Sequence, residues 1–274
     1  MNFIDKLNNA ARKNQSLVCV GLDPDPDRMP EDVSVLAFNK AIIDATAHLV
    51  CAYKPNLAFY EAMGKEGMEA LEQTVKYIPD DIPVICDGKR GDIGNTAKAY
   101  ARAIFDNLGC DAATVSPYLG FDSVEPFIQY KDKGVFILCR TSNAGALDFQ
   151  SLRCESESGT RPLFELVALK ASQWNVNSNI GLVVGATYPE ELRIIRDNHP
   201  DMPLLIPGVG AQGGDLEITI RYGVDSKGEK AIINSSRQIL YASRDKDFGE
   251  AAAHAANEMR EQINQHRQQF LMPH

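Results

Sequence analysis

The sequence predicts a single (β/α)8 barrel, an α/β fold of the TIM type with one extra helix at its N-terminus. Eight short runs rich in β-branched residues recur along the 274 residues. Each is followed by a segment with apolar residues at spacings of three and four. The runs are continuously apolar rather than alternating, as when both faces of a parallel sheet are covered. An open doubly wound sheet is the alternative architecture for such a pattern. α/β barrels of roughly 200–250 residues are routinely one unit, so the chain 1–274 is expected to be one domain.

In chain order the strand candidates are LVCVGLD (17–23), CAYKPN (51–56), PVICDGK (83–89), DAATVSP (111–117), GVFILCR (134–140), IGLVVGA (180–186), PLLIPGV (203–209) and KAIINSS (230–236). Crossover helices follow from stripes such as Val35, Phe38, Ile42, Ala45 and Leu49, or Ala97, Ala101, Ile104 and Phe105. The first dozen residues read as the extra helix. Residues 247–270 read as the last, with Phe248, Ala252, Ala255, Met259 and Ile263 on one stripe. One stretch, 142–162, has a Ser-rich second half with no period and is expected to be a long irregular loop.

Composition narrows the function classes. With 28 Lys plus Arg against 37 Asp plus Glu the formal net charge is −9, which disfavours a nucleic-acid binder working through a broadly basic surface. No apolar run approaches the ~18 residues of a membrane span. The amphipathic N-terminus lacks a secretory apolar core and a cleavage site, so residence in the cytoplasm is the expectation. The six cysteines show no C-x-x-C spacing and read as reduced and structural. The five histidines offer no i, i+4 pair and none ends a strand, so neither a metal centre nor His-based acid/base chemistry is expected. No G-x-S-x-G elbow occurs.

In a barrel of this kind the active site lies at the C-terminal ends of the strands. There the apolar runs terminate in charged and polar residues: Asp23, then Lys54 and Asn56, then Asp87 and Lys89 with Asp92 shortly after, Arg140 and Ser142, and finally Ser235 and Arg237. Residues two apart share a strand face, so Asp87 and Lys89 both point to the mouth. Asp92 is expected to return toward the same lysine. With Lys54 arriving from the neighbouring strand, the charges alternate, and mutual compensation keeps both lysines protonated. A purely structural ion-pair network would give the same pattern. After the seventh strand comes Pro207-Gly208-Val209-Gly210-Ala211-Gln212-Gly213-Gly214, which matches neither the dinucleotide fingerprint nor the P-loop. Its position does match the phosphate site that loops after strands seven and eight form in these barrels. Glycine N–H groups, the Gln212 amide and the Arg237 guanidinium are its candidate ligands. The sum is a phosphorylated small substrate processed by lysine and aspartate.

These residues resemble the orotidine 5′-phosphate decarboxylase family, from Gly21-Leu22-Asp23 through to Ser236-Arg237. The family's Asp-x-Lys-x-x-Asp segment is present as Asp87, Lys89 and Asp92, continuing into Ile93-Gly94-Asn95-Thr96. Further matches are Tyr53-Lys54-Pro55-Asn56, Ser116-Pro117-Tyr118, Arg140-Thr141-Ser142-Asn143 and the 208–214 loop. The long middle segment and Gly21-Leu22-Asp23-Pro24-Asp25 look like the longer bacterial subfamily. The resemblance implies cofactor-free decarboxylation of orotidine 5′-monophosphate to uridine 5′-monophosphate, the last step of de novo pyrimidine synthesis. It makes Lys89 the acid that protonates C6 and sets Asp87 against the departing carboxylate. Lys54 and Asp23 would hold the ribose hydroxyls, and Ser142 the pyrimidine. Gln212 and Arg237 would bind the phosphate, with Pro207 and Gly213 of the same loop counted among the substrate-binding residues. Asp92, Ile93 and Thr96 are similar to residues that the family lends across a homodimer interface. Two rivals remain at this point: a magnesium-dependent sugar-phosphate lyase of the same superfamily, which Lys54 at the end of strand two argues against, and a nucleotide-binding barrel without chemistry.

Overall fold

The computed structural model describes residues 1–156, 159–210 and 213–271. Eight of its strands form one parallel sheet: β1 (Val18–Leu22), β2 (Ala52–Pro55), β3 (Ile85–Arg90), β4 (Ala112–Val115), β5 (Gly134–Arg140), β8 (Ile180–Val184), β9 (Leu204–Pro207) and β10 (Ala231–Ser235). They are ordered β2-β1-β10-β9-β8-β5-β4-β3, and parallel bridges Tyr53↔Val84 and Asn56↔Asp87 bring the two ends together. All eight predicted strands are therefore present, and the sheet is a barrel. The remaining two, β6 (Arg153–Ser156) and β7 (Gly159–Pro162), form a separate antiparallel hairpin.

Local chemistry starts three of the crossover helices. Ser34 caps Val35–Thr46 by accepting from the Ala37 N–H over 3.3 Å, and Asp215 caps Leu216–Gly223 through the Ile218 N–H over 2.9 Å. Pro189 opens Pro189–Asn198 at a position whose N–H has no helical partner. The last helix spans Phe248–Leu271, and its fully covered face is Ala252, Ala256 and Ile263. Ala255 and Met259 of the predicted stripe pack only partly buried.

Side chains alternate across each strand, so the sheet has two cores. Its outer face packs on the helices. Its inner face carries Cys19, Ala52, Ile85, Ala112, Phe136, Val183, Leu205 and Ile232, closed from below by Phe3 and Leu7. Those two come from the extra helix, Phe3–Lys13, whose Asn2 cap accepts from the Asp5 N–H. The Phe3 ring meets Phe136 edge-on at 5.7 Å, and any Cβ on Gly134 would fall 2.3 Å from that ring. Burial of such a side chain contributes roughly 1.5–3 kcal/mol. The N-terminal helix is thus the floor of the barrel, and the opposite end is left as the mouth.

The 142–162 stretch departs from the expected irregular loop. A short helical turn, Ala144–Asp148, leads into the β6/β7 hairpin, paired from Arg153↔Pro162 to Ser156↔Gly159. Most residues of both strands face solvent, so no apolar alternation is written into the sequence to reveal them. Among the described residues no helix is long and apolar enough to cross a membrane. The six cysteines are all free, five of them buried.

Candidate active site

One step above the apolar inner layer, the same strands present polar groups. Period two carries Ala52 to Lys54, Ile85 to Asp87, Ala112 to Thr114 and Ile232 to Asn234. Together with Asp23, Lys89, Ser142, Pro207 and Arg237 these line a cavity of about 700 Å³ at the mouth. A larger cleft, about 1430 Å³, lies beside helix Gly64–Tyr77 and residues 244–248, but it holds none of the network residues. Convergent charge singles out the mouth.

Asp87 is the centre of the network. Its Oδ2 accepts from Lys54 Nζ over 2.8 Å, and its Oδ1 accepts from Lys89 Nζ over 2.7 Å and from Thr114 Oγ1 over 2.9 Å. Burial would raise the Asp87 carboxyl, but the charges of Lys54 and Lys89 and their hydrogen bonds outweigh it and hold the group well below the usual carboxylate range. Burial likewise pulls the Lys54 ammonium down, yet Asp87 and Asp23 more than reverse it and lift the group above an ordinary lysine. Both groups are charged at neutral pH. Asp23, just beyond the end of β1, adds its charge, with Oδ1 buried and without a hydrogen-bond partner among the described residues.

Lys89 reaches Asp87 by leaving regular strand geometry. Its φ is +44°, and the pairing of β3 with β4 shifts register between Cys86 and Arg90. The Lys89 N–H donates to Thr114 Oγ1 over 2.9 Å, so one threonine fixes both the backbone of the lysine and the carboxylate it pairs with. A non-glycine residue with positive φ is a strained conformation that the surroundings must enforce. The Lys89 side chain stays half exposed toward the cavity, at 49%.

Asp92 does not return to Lys89 within the chain, contrary to the expectation from spacing. Its Oδ1 accepts from the Ile93 N–H over 2.8 Å, because the backbone turns directly into helix Gly94–Arg102. Ile93 and Thr96 are exposed on the same segment. Arg140 also leaves the mouth. A register shift between Leu138 and Arg140 in the β5–β8 pairing turns it outward. There it is fully buried, ion-paired with Glu191, and its guanidinium lies 3.7 Å over the Tyr188 ring. Its NH1 donates to Gln150 Oε1, which also accepts from the Thr141 N–H over 2.8 Å. Arg140 thereby helps seat the segment that carries Ser142 at the cavity wall.

Another part of the wall is the start of the loop after β9. Pro207, Gly208 and Val209 line the cavity, and Gly208, Gly210 and Gly213 have φ of +95°, +67° and +87°, which glycine adopts without steric cost. The loop is folded on itself: the Gly210 N–H donates to Gly214 O, that of Gly213 to Gly210 O and that of Gly214 to Gly208 O. Gly213 is not among the cavity-lining residues, and Gln212 lies outside the described residues. Arg237 opens the short helix Arg237–Leu240 and is exposed at the rim. Sequence reasoning missed Thr114, Asn234, Arg28 and Tyr241, all at the cavity. Strand periodicity signals the first two, and nothing local signals Arg28 or Tyr241.

Fold and site together define a (β/α)8 barrel enzyme with lysine and aspartate gathered at the C-terminal rim of its strands. The chain belongs to the orotidine 5′-phosphate decarboxylase / HUMPS family, whose model matches residues 16–253. It is 58% identical over 270 residues to orotidine 5′-phosphate decarboxylase of Dehalococcoides mccartyi, covering 98% of this chain and 100% of the relative. It is 54% identical to that of Herpetosiphon aurantiacus over 93% of this chain and 95% of the relative. Among solved structures it is similar to Leishmania donovani OMP decarboxylase, with TM-score 0.85 and 42% identity over 97% of this chain and 99% of that one. It is also similar to Leishmania donovani UMP synthase, with TM-score 0.88 and 44% identity over 97% of this chain and 57% of that one.

Proposed function

We propose that the chain, acting as one barrel unit, removes carbon dioxide from orotidine 5′-monophosphate to give uridine 5′-monophosphate, using its own side chains and no cofactor, in the cytoplasm. The observation that carries the reading is the sharing of one carboxylate, Asp87, by two ammonium groups, Lys54 at 2.8 Å and Lys89 at 2.7 Å. A preorganised ammonium beside C6 stabilises the electron pair left when the C6–carboxylate bond breaks, and does so more than it stabilises the delocalised carboxylate before cleavage. Carbon dioxide leaves, a proton passes from Lys89 Nζ to C6, and the neutral amine regains a proton from solvent. Asp87 faces the departing carboxylate and holds Lys89 in place. Lys54 and Asp23 hold the ribose hydroxyls, and Ser142 contacts the pyrimidine. Pro207, Gln212, Gly213 and Arg237 grip the phosphate, so binding energy distant from C6 assists the reaction.

The site is completed in a homodimer. Asp92 turns away from Lys89 in its own chain, and Ile93 is 56% exposed. Both features support a role for Asp92, Ile93 and Thr96 in the site of a second copy. The free, mostly buried thiols suit a reducing compartment.

The test is the ultraviolet absorbance of orotidine 5′-monophosphate mixed with the purified protein, with EDTA in one cuvette and magnesium in the other. Equal, rapid conversion to uridine 5′-monophosphate in both is the expected result. Loss of activity with EDTA would favour a magnesium-dependent sugar-phosphate lyase, and nucleotide binding without turnover would leave a non-catalytic barrel.

A further inference from the structure

Tyr241 ties the two ends of the substrate cavity together. It follows the short helix that Arg237 opens, and its N–H donates to Arg237 O over 3.3 Å. Its hydroxyl spends both of its main hydrogen bonds on the loop after β1, donating to Asp23 O over 2.8 Å and accepting from the Asp25 N–H over 2.7 Å. The ring is clamped by Phe38 at 6.1 Å and by the Arg28 guanidinium at 4.3 Å from the centroid, so the hydroxyl has little freedom to move. Among the described residues no hydrogen bond fixes the Asp23 side chain itself, whose Oδ1 is buried without a partner.

We propose that Tyr241 is a positioning residue that aims Asp23 at the ribose. It does so by locking the backbone on both sides of Pro24 to the helix behind the phosphate-binding Arg237. The inference rests on the reading of Asp23 as a ribose ligand. A carboxylate aimed only through its backbone loses its direction when that backbone is released, and a displacement of about 1 Å is enough to cost roughly 100-fold in rate. The device acts through Asp23, not on the phosphate.

Tyr241→Phe keeps the ring and both of its stacking partners and removes only the hydroxyl. In the wild-type background it should lower kcat/KM for orotidine 5′-monophosphate roughly 10- to 100-fold. In an Asp23→Ala background it should lower it by less than about 3-fold, because the two changes break one interaction. Calorimetric titration gives the second readout: affinity for uridine 5′-monophosphate should fall in Tyr241→Phe while affinity for inorganic phosphate stays unchanged. An equal fold loss in both backgrounds, or a loss of phosphate affinity matching that for the nucleotide, would overturn the proposal and make the hydroxyl a support of the fold. Wild-type turnover in the same assay reports on the decarboxylase reading. The nucleotide-affinity cycle decides the role of Tyr241 whether or not turnover is seen.

Discussion

Thr114 Oγ1 donates to Oδ1 of Asp87 over 2.9 Å and itself accepts the backbone N–H of Lys89 over 2.9 Å. The threonine is buried in the middle of the barrel mouth, and it joins β4 to the irregular end of β3 where Lys89 takes up its positive φ. Thr114→Val preserves shape and removes the bridge. The Lys89 N–H then loses its partner, and Asp87 loses one of the three groups that orient it. Loss of a hydrogen bond to a charged group costs about 1.5–3 kcal/mol, so kcat should fall roughly 10- to 100-fold with a smaller change in KM. Steady-state kinetics at saturating substrate measure this. A kcat within 2-fold of wild type would show that the lysine holds its place unaided.

Lys89 is half exposed, and no core packing depends on it. Lys89→Ala should therefore fold with a melting temperature near that of wild type and lose at least the ~10²–10⁴-fold in turnover typical of a missing general acid. Circular dichroism melting alongside single-turnover assays separates the two. Retention of most activity would remove the lysine from the chemistry.

Arg237 stands at the far rim, away from the network, and its proposed part is to hold the phosphate. Arg237→Ala should act mainly on kcat/KM, by roughly 10- to 100-fold, the scale of a charge-assisted hydrogen bond to phosphate. Substrate titrations up to saturation test this. An unchanged kcat/KM would mean that the phosphate is gripped elsewhere in the loop.

The buried pair fixes how stability depends on pH. Asp87 has its carboxyl depressed in the folded state, after burial is outweighed by Lys54 and Lys89. Its contribution is thus fully present above the unfolded value of about 3.9 and is lost as pH falls through the lower folded value. Lys54 is raised, with burial outweighed by Asp87 and Asp23. Its contribution is present below the unfolded value of about 10.4 and is lost only as pH climbs through the higher folded one. Between about pH 5 and 9 neither group titrates. Asp87→Asn, which strands the buried ammonium, should destabilise the protein by about 3–5 kcal/mol. That difference should stay constant across the window and shrink below about pH 4. Urea unfolding of both proteins over a pH series tests it, and a difference already narrowing at pH 6 would contradict the charge assignment.

The barrel was legible because most of its strands are buried on both faces and write short apolar runs, while the crossover helices keep an apolar stripe. The hairpin β6/β7 was not, because residues such as Glu155 and Thr160 face solvent and obey no period. Lys54, Asp87 and Lys89 were legible at the site because a charged residue ending an apolar strand is conspicuous. Thr114 was signalled only by strand periodicity, as one hydroxyl among Ala112, Ala113 and Val115, and was passed over for want of a charge. Arg140 ends its strand as Lys54 does, but a single register shift beyond Leu138 turns it to the other face, and such a shift leaves no trace in composition. Tyr241 acts on Asp23 across 218 residues of sequence, a distance over which local pattern carries no information.

The proposed dimer has a sharp consequence at Asp92. Among the described residues this carboxylate bonds only the neighbouring Ile93 N–H, on a segment where Ile93 and Thr96 are also exposed. If Asp92 serves a second copy's site, Lys89→Ala and Asp92→Ala should each be inactive alone for different reasons. Their mixed dimers should contain one site that lacks both groups and one that lacks neither. Co-refolding the two variants at equal concentration yields half of the dimers mixed, so activity should recover to about one quarter of the wild-type value per site, as expected for closed two-fold assembly. Co-refolding with differently tagged subunits, isolating the mixed species and assaying it tests this directly. Recovery of activity in the mixed species requires the site to be shared, whereas an inactive mixed dimer would confine Asp92 to its own chain and remove it from catalysis across the interface.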